Sequence, residues 1–172
     1  MTFRLQAYTA EGLLTGAVAA EGRLVEVLAS TSPVIMENAV ITPFTGPAQV
    51  AAGWSSVEVD DLMVVVATPE TVAPVHAAWH ILLLDVGPYR VRGELPALPG
   101  FDPARALARP TGPFVLLARL TVEVRAGGPA GVSDQHALAF VNRYAVDAVE
   151  SDIHLGFFFP AARDRRPSPA IA

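Results

Sequence analysis

Over most of the chain, apolar and polar residues alternate or apolar residues run in short Val-rich bursts. "TFRLQAYT" (2–9), "LTGAVAA" (14–20), "VEVDDLMVVVA" (57–67), "AWHILLLDV" (78–86), "YRVRGEL" (89–95), "FVLLARLTVEVR" (114–125) and "ALAFVNRYAVDAV" (137–149) each read as strands. Fifteen Pro and thirteen Gly punctuate them. Helical spacing is scarce. "EGRLVEVLAS" (21–30) fits about two turns with Leu24, Val27 and Leu28 on one side. "DPARALAR" (102–109) fits a second short helix, with Asp102 placed to cap it and Pro103 at its first position.

The two helical pieces fall at matching places in a longer pattern. Residues 11–44 and 87–124 each run strand, Gly (Gly16 or Gly93), strand, Gly (Gly22 or Gly100), short helix ending Leu-Ala, polar turn and long apolar strand. A Gly-containing loop follows in both, and then 54–70 lies beside 136–152 without a gap, setting Asp60-Asp61-Leu62 on Asn142-Arg143-Tyr144. The pattern predicts an internal duplication. The predicted fold is all-β with one short helix per half: two tandem small β-barrels, the first over 1–70, the second over 71–160, with a flexible tail over 161–172. "PETVAP" (69–74) is the natural joint. "FVNRYAVDAVES" (140–151) reads as two strands with a minimal break at 142–144, where a barrel strand turns its corner through one 3₁₀ turn.

Composition narrows the chemistry. The 52% hydrophobic content supports a real core. Without Cys, disulfides, thiolate metal sites and thiol nucleophiles are excluded. All twelve basic residues are Arg, a bias we attribute to GC-rich, bacterial codon usage, and the net charge of -5 disfavours phosphate backbones. No apolar run approaches the roughly 20 residues that span a bilayer, so a cytoplasmic protein without a membrane partner is expected.

The closing segment "NRYAVDAVES", the Gly-centred "VRGEL" (91–95) and the "FVLL" strand (114–117) resemble bacterial Sm-like barrels of the Hfq kind. Small SH3-like barrels share such short strands. The helix departs from the Sm-like pattern, because it lies between the second and third strands instead of first. The resemblance implies edge-strand pairing between barrels and hence a homo-oligomer, a dimer or a trimeric ring. It also implies RNA or nucleotide binding at the corner, by Asn142, Arg143 and Tyr144. Asp60 and Asp61 occupy the matching corner of the first half and would repel a nucleic acid by about 1 kcal/mol per close charge pair in solvent. Arg143 has a plainer reading as half of a surface salt bridge to Asp147 or Glu150.

No catalytic residue, metal site or cofactor is predicted. His76 and His80 are four apart, but on a strand that separation is about 13 Å. His136 and His154 read as isolated loop or surface residues. Ser55 and Ser56 sit in no nucleophile elbow, and "GGPAG" (127–131) precedes no helix that could cradle phosphate. Phe157, Phe158 and Phe159 either pack across a subunit contact or cap the second core. The Arg-rich tail is expected to leave the fold from about residue 162. The expected function is a non-catalytic interaction or scaffolding module that self-assembles through edge strands, with another protein as a further partner. The alternatives are an Sm-like RNA- or nucleotide-binding protein and a small-molecule enzyme with a site between the barrels.

Overall fold

The structure is a computed structural model describing residues 1–30, 32–68, 78–97, 112–125, 133–153, 155 and 158–165. It is predominantly β. The strands are β1 (Thr2–Tyr8), β2 (Gly12–Ala19), β3 (Val34–Pro43), β4 (Gln49–Val50), β5 (Trp54–Val57), β6 (Val64–Thr68), β7 (Ala78–Val86), β8 (Tyr89–Ala97), β9 (Phe114–Val124), β10 (Ser133–Asn142), β11 (Val146–Ser151) and β12 (Arg163–Asp164). One helix, α1 (Leu24–Leu28), and one 3₁₀ turn (Val59–Asp61) complete the described elements. Glu26 accepts a hydrogen bond from the Arg23 backbone N–H to start α1, whose Leu24 and Leu28 are buried. The second expected helix (102–109), the joint at 69–74 and the loop at 127–131 lie outside the described residues.

All the described strands join one sheet, ordered β12-β11-β7-β8-β9-β10-β6-β1-β2-β3-β4, with β5 also on β3. Within residues 1–68 the order is β6-β1-β2-β3-β5, and within 78–151 it is β11-β7-β8-β9-β10. With the two-residue β4 left aside, that is fifth-first-second-third-fourth in each. The expected closure into two barrels does not occur, because the ladder is an open path. The physical reason is which edges are used. Closing the second half needs β10 to pair β11, but β10 gives that edge to β6, through Phe140↔Val65 and Val141↔Val64. β6, filled by β1 and β10, cannot then close onto β5.

The two cores lie on opposite faces of this shared sheet. Successive strand residues point to opposite sides, and neighbours divide accordingly. Val64, Val141, Leu117 and Tyr8 enter one core, whereas Val65, Phe140, Phe114 and Ala7 enter the other, beneath α1.

Both halves bend at the same place in the same way. Asn38 in β3 has φ 54° and Arg119 in β9 has φ 48°. Met36 and Ala39 both enter the first core despite being three apart, and Leu117 and Leu120 both enter the second. On a straight strand one of each pair would face outward. Opposite each bend the register slips at Gly16 in β2 and at Gly93 in β8. A Cβ on Gly93 would lie 3.3 Å from Leu117 and Leu120 side-chain atoms in a packed interior. Gly93→Val is therefore expected to cost about 1–3 kcal/mol, read as a lower urea midpoint at unchanged m-value.

The tail differs from expectation. Arg163–Asp164 adds a parallel strand to β11 (Ala148↔Arg163, Val149↔Asp164), and the Arg165 N–H donates to the Val149 carbonyl. A partly buried Ala162 anchors this strand against the second core.

Candidate interaction site

The corner at 142–144 is built into the fold. The Ala145 N–H donates to the Asn142 carbonyl, closing a tight turn, while the first half turns its corner with the 3₁₀ turn at Val59–Asp61. The two corners touch. Asn142, 2% exposed, donates from its backbone to the Met63 carbonyl and from Nδ2 to the Leu62 carbonyl, and its Oδ1 accepts from the Tyr144 N–H. Arg143 is 7% exposed. Its Nε donates to the Phe158 carbonyl at 2.9 Å and its guanidinium lies 5.1 Å from the Tyr144 ring centre. The expected surface salt bridge thus gives way to a buried guanidinium holding backbone, and Asp147 instead accepts from the Gly87 N–H. Of the three residues only Tyr144 faces solvent. Asp60 and Asp61 are exposed; Leu62 is fully buried.

One end of the sheet is an open edge. β4 and β5 both pair β3, and no described strand pairs their outer side. Val50 is 73% exposed and Trp54 64%. Ile35, also exposed, shares the outward face of the β3–β5 pair with Trp54, because its partner is Ser56 and that of Glu37 is Trp54. Beside this edge, Glu11, Glu58, Asp60, Asp61, Ser55 and Ser56 help line a cavity of about 410 Å³.

The other end of the sheet carries arginines. Asp85, 3% exposed in β7, receives the Arg90 Nε on Oδ1 at 2.9 Å. Arg165 Nη1 stands 2.6 Å from Oδ2, and Arg125 Nη2 3.6 Å. Oδ2 lacks an aligned hydrogen bond, so charge alone holds those two contacts. Burial pushes the Asp85 carboxyl up, but the Arg90 hydrogen bond and the charges of Arg125, Arg90 and Arg165 outweigh it and hold the group below the usual aspartate range. The outermost strand, β12, presents Arg163, with Arg165 just beyond it.

Between the halves lies a polar seam. Tyr8 donates to Asp134 Oδ2 at 2.7 Å, accepts from Gln6 Nε2 at 3.0 Å, and lies 2.7 Å from His136 Nε2. Burial, then the Asp134 hydrogen bond, pushes the Tyr8 hydroxyl far above its usual range, so it stays neutral. Tyr89 donates to the Thr9 and Gly12 carbonyls and packs edge-on against Tyr8 at 5.3 Å. His136, expected on a loop or the surface, instead sits in β10 inside this seam, its ring against Tyr8. His80 is half-buried in β7, and His76 and His154 lie outside the described residues. Among the described residues no group of three His, Cys, Asp or Glu could hold a metal ion, and no helix is long and apolar enough to cross a membrane.

What fold and site define together is a predominantly β protein with an open, partly apolar edge at one end of its sheet and an arginine-bearing strand at the other. Comparison with known proteins adds no relative: no family model, no curated protein and no solved structure matches the chain.

Proposed function

We propose that the protein is a non-catalytic assembly module in which the open β4–β5 edge of one copy receives the β12 end of the next. The observation that carries this reading is the β10–β6 pairing, by which the chain already joins one half to the other through edge strands. Edge addition from copy to copy repeats that contact. The exposed Val50 and Trp54 supply apolar area, and Glu58, Asp60 and Asp61 oppose Arg163 and Arg165 in charge. A head-to-tail contact of this kind closes into a ring where its rotation allows, as a dimer or trimer. The repeated strand order and the matching bends support reading residues 1–70 and 71–160 as two copies of one unit of the Sm-like or SH3-like kind. RNA binding at the corner has less support, since Asn142 and Arg143 spend their polar atoms on backbone carbonyls.

Solution mass by light scattering tests the proposal. A closed oligomer is expected at low salt, loosening as salt screens charges beyond the Debye length of about 10 Å at 0.1 M. Val50→Glu combined with Trp54→Glu adds carboxylates to the edge and removes its apolar area. It is expected to give a monomer with thermal stability within about 0.5 kcal/mol of the parent, as for exposed positions generally. A parent chain that is monomeric at low salt overturns the reading, and salt-dependent retention on RNA by that monomer favours the nucleic-acid alternative.

A further inference from the structure

The outer face of the first half, which no described strand covers, holds a cavity of about 470 Å³ that the assembly reading does not use. That volume lies within the range of small-molecule sites. The register defines its floor. Thr68 pairs with Arg4, Arg4 with Ala17, and Ala17 with Glu37, so these four side chains form a row across β6, β1, β2 and β3. Val66, Gln6 and Thr15 form the next row. Arg4 and Glu37 therefore stand two strands apart, about 10 Å between backbones. Ala17 and Gly16 are the only residues between them in this stretch of β2, and neither fills the gap.

The charges are unspent. Neither Arg4 nor Glu37 has an ion-pair partner among the described residues, whereas Arg90, Arg119, Arg125 and Arg165 each have one. Around them Thr15, Asn38 and Thr68 offer hydrogen-bonding groups. Gln6 donates to the Tyr8 hydroxyl two residues along the same face, and Asp134 fixes that hydroxyl in turn.

We infer that this cavity binds a small zwitterion, its carboxylate on the Arg4 guanidinium and its ammonium on the Glu37 carboxylate, with the aliphatic stretch between them lying over Ala17. Arginine suits the carboxylate because its planar fork accommodates two parallel hydrogen bonds. A ligand with one charge satisfies half the site and leaves the other charge as it is in the free protein. An amino acid whose charges are separated by a short chain fits the two-strand span better than one carrying both on adjacent carbons.

4-Aminobutyrate is the probe, with butyrate and butylammonium as its single-charge halves. Titration into ¹⁵N-labelled protein is expected to shift the backbone amides of Arg4, Gln6, Ala17 and Glu37, with the zwitterion binding at least about tenfold more tightly than either half. Arg4→Gln and Glu37→Gln, both at exposed positions that leave the fold intact, are each expected to weaken it about tenfold. Ala17→Leu, which fills the gap without touching either charge, is expected to abolish binding. No shift up to about 10 mM probe, equal binding of butyrate or butylammonium, or shifts confined to the acidic cavity beside β5 would each overturn the inference. The readout is independent of oligomeric state, so failure here leaves the assembly proposal standing, and the reverse.

Discussion

Asp85→Asn is expected to destabilise the protein by about 3 kcal/mol, the lower end for breaking a buried ion pair. The carboxylate is 3% exposed and three guanidiniums converge on it. An amide there cannot balance their charge, and it turns a donor toward Arg90. The lower end applies because the arginine side chains are 43%, 37% and 50% exposed, so water screens what they lose. The pH dependence carries the same signature. The folded-state pKa is lowered relative to the unfolded chain. The stabilisation is therefore fully present above the unfolded aspartate value of about 3.9, and it is lost as pH falls through the lower folded value. Urea midpoints for parent and variant should converge as pH drops through that acid window, and a constant gap between them would refute the assignment. Because Arg165 is one of the three partners, the variant is also expected to loosen β12, seen as faster amide exchange at Arg165.

Strands were legible in the sequence because their pattern is local. Ala78–Val86 coincides with the expected "AWHILLLDV", whereas the break expected as a 3₁₀ turn at 142–144 is a plain turn at 143–145, because β10 runs on through Asn142, which pairs with Phe114. Gly16 and Gly93, singled out in the sequence, stand where the register slips, as strand-interior glycines often do. Which edges pair was not legible, because pairing depends on contacts far apart in sequence. Nothing in "VVVA" or "LAFVN" says that Val65 will meet Phe140 instead of leaving β6 free to close on β5. The same limit hid the seam: Tyr8 and Asp134 are 126 residues apart, and neither sits in a recognisable motif. Asp85 did leave a trace, a carboxylate inside "ILLLDV", where an isolated charge in an apolar strand calls for a buried partner. Arg143 misled for a related reason. A basic residue at a polar corner reads as exposed, and only the return of the chain over it to Phe158 makes it internal.

That returning segment sets up the second large effect. After β11 the chain must cross over to run parallel to it as β12, and a parallel connection cannot be made by a tight hairpin. Between the two strands, Leu155, Phe158 and Phe159 lie in the second core, 3%, 5% and 1% exposed. Phe158 and Phe159 pack edge-on at 5.2 Å. They cap the core, and the alternative in which these two rings face a subunit contact is set aside by their burial within one chain. Phe159→Ala is expected to cost about 3–5 kcal/mol, the combined loss of transfer energy and of packing around the cavity left behind. Two measurements separate this from an interface role. Chemical denaturation should show the loss in full, while light scattering well below the unfolding transition should give the parent's mass. A variant of near-parental stability that dissociates would instead place Phe159 at the contact between copies, and β12 would then join the next chain through the core cap and not through its edge alone.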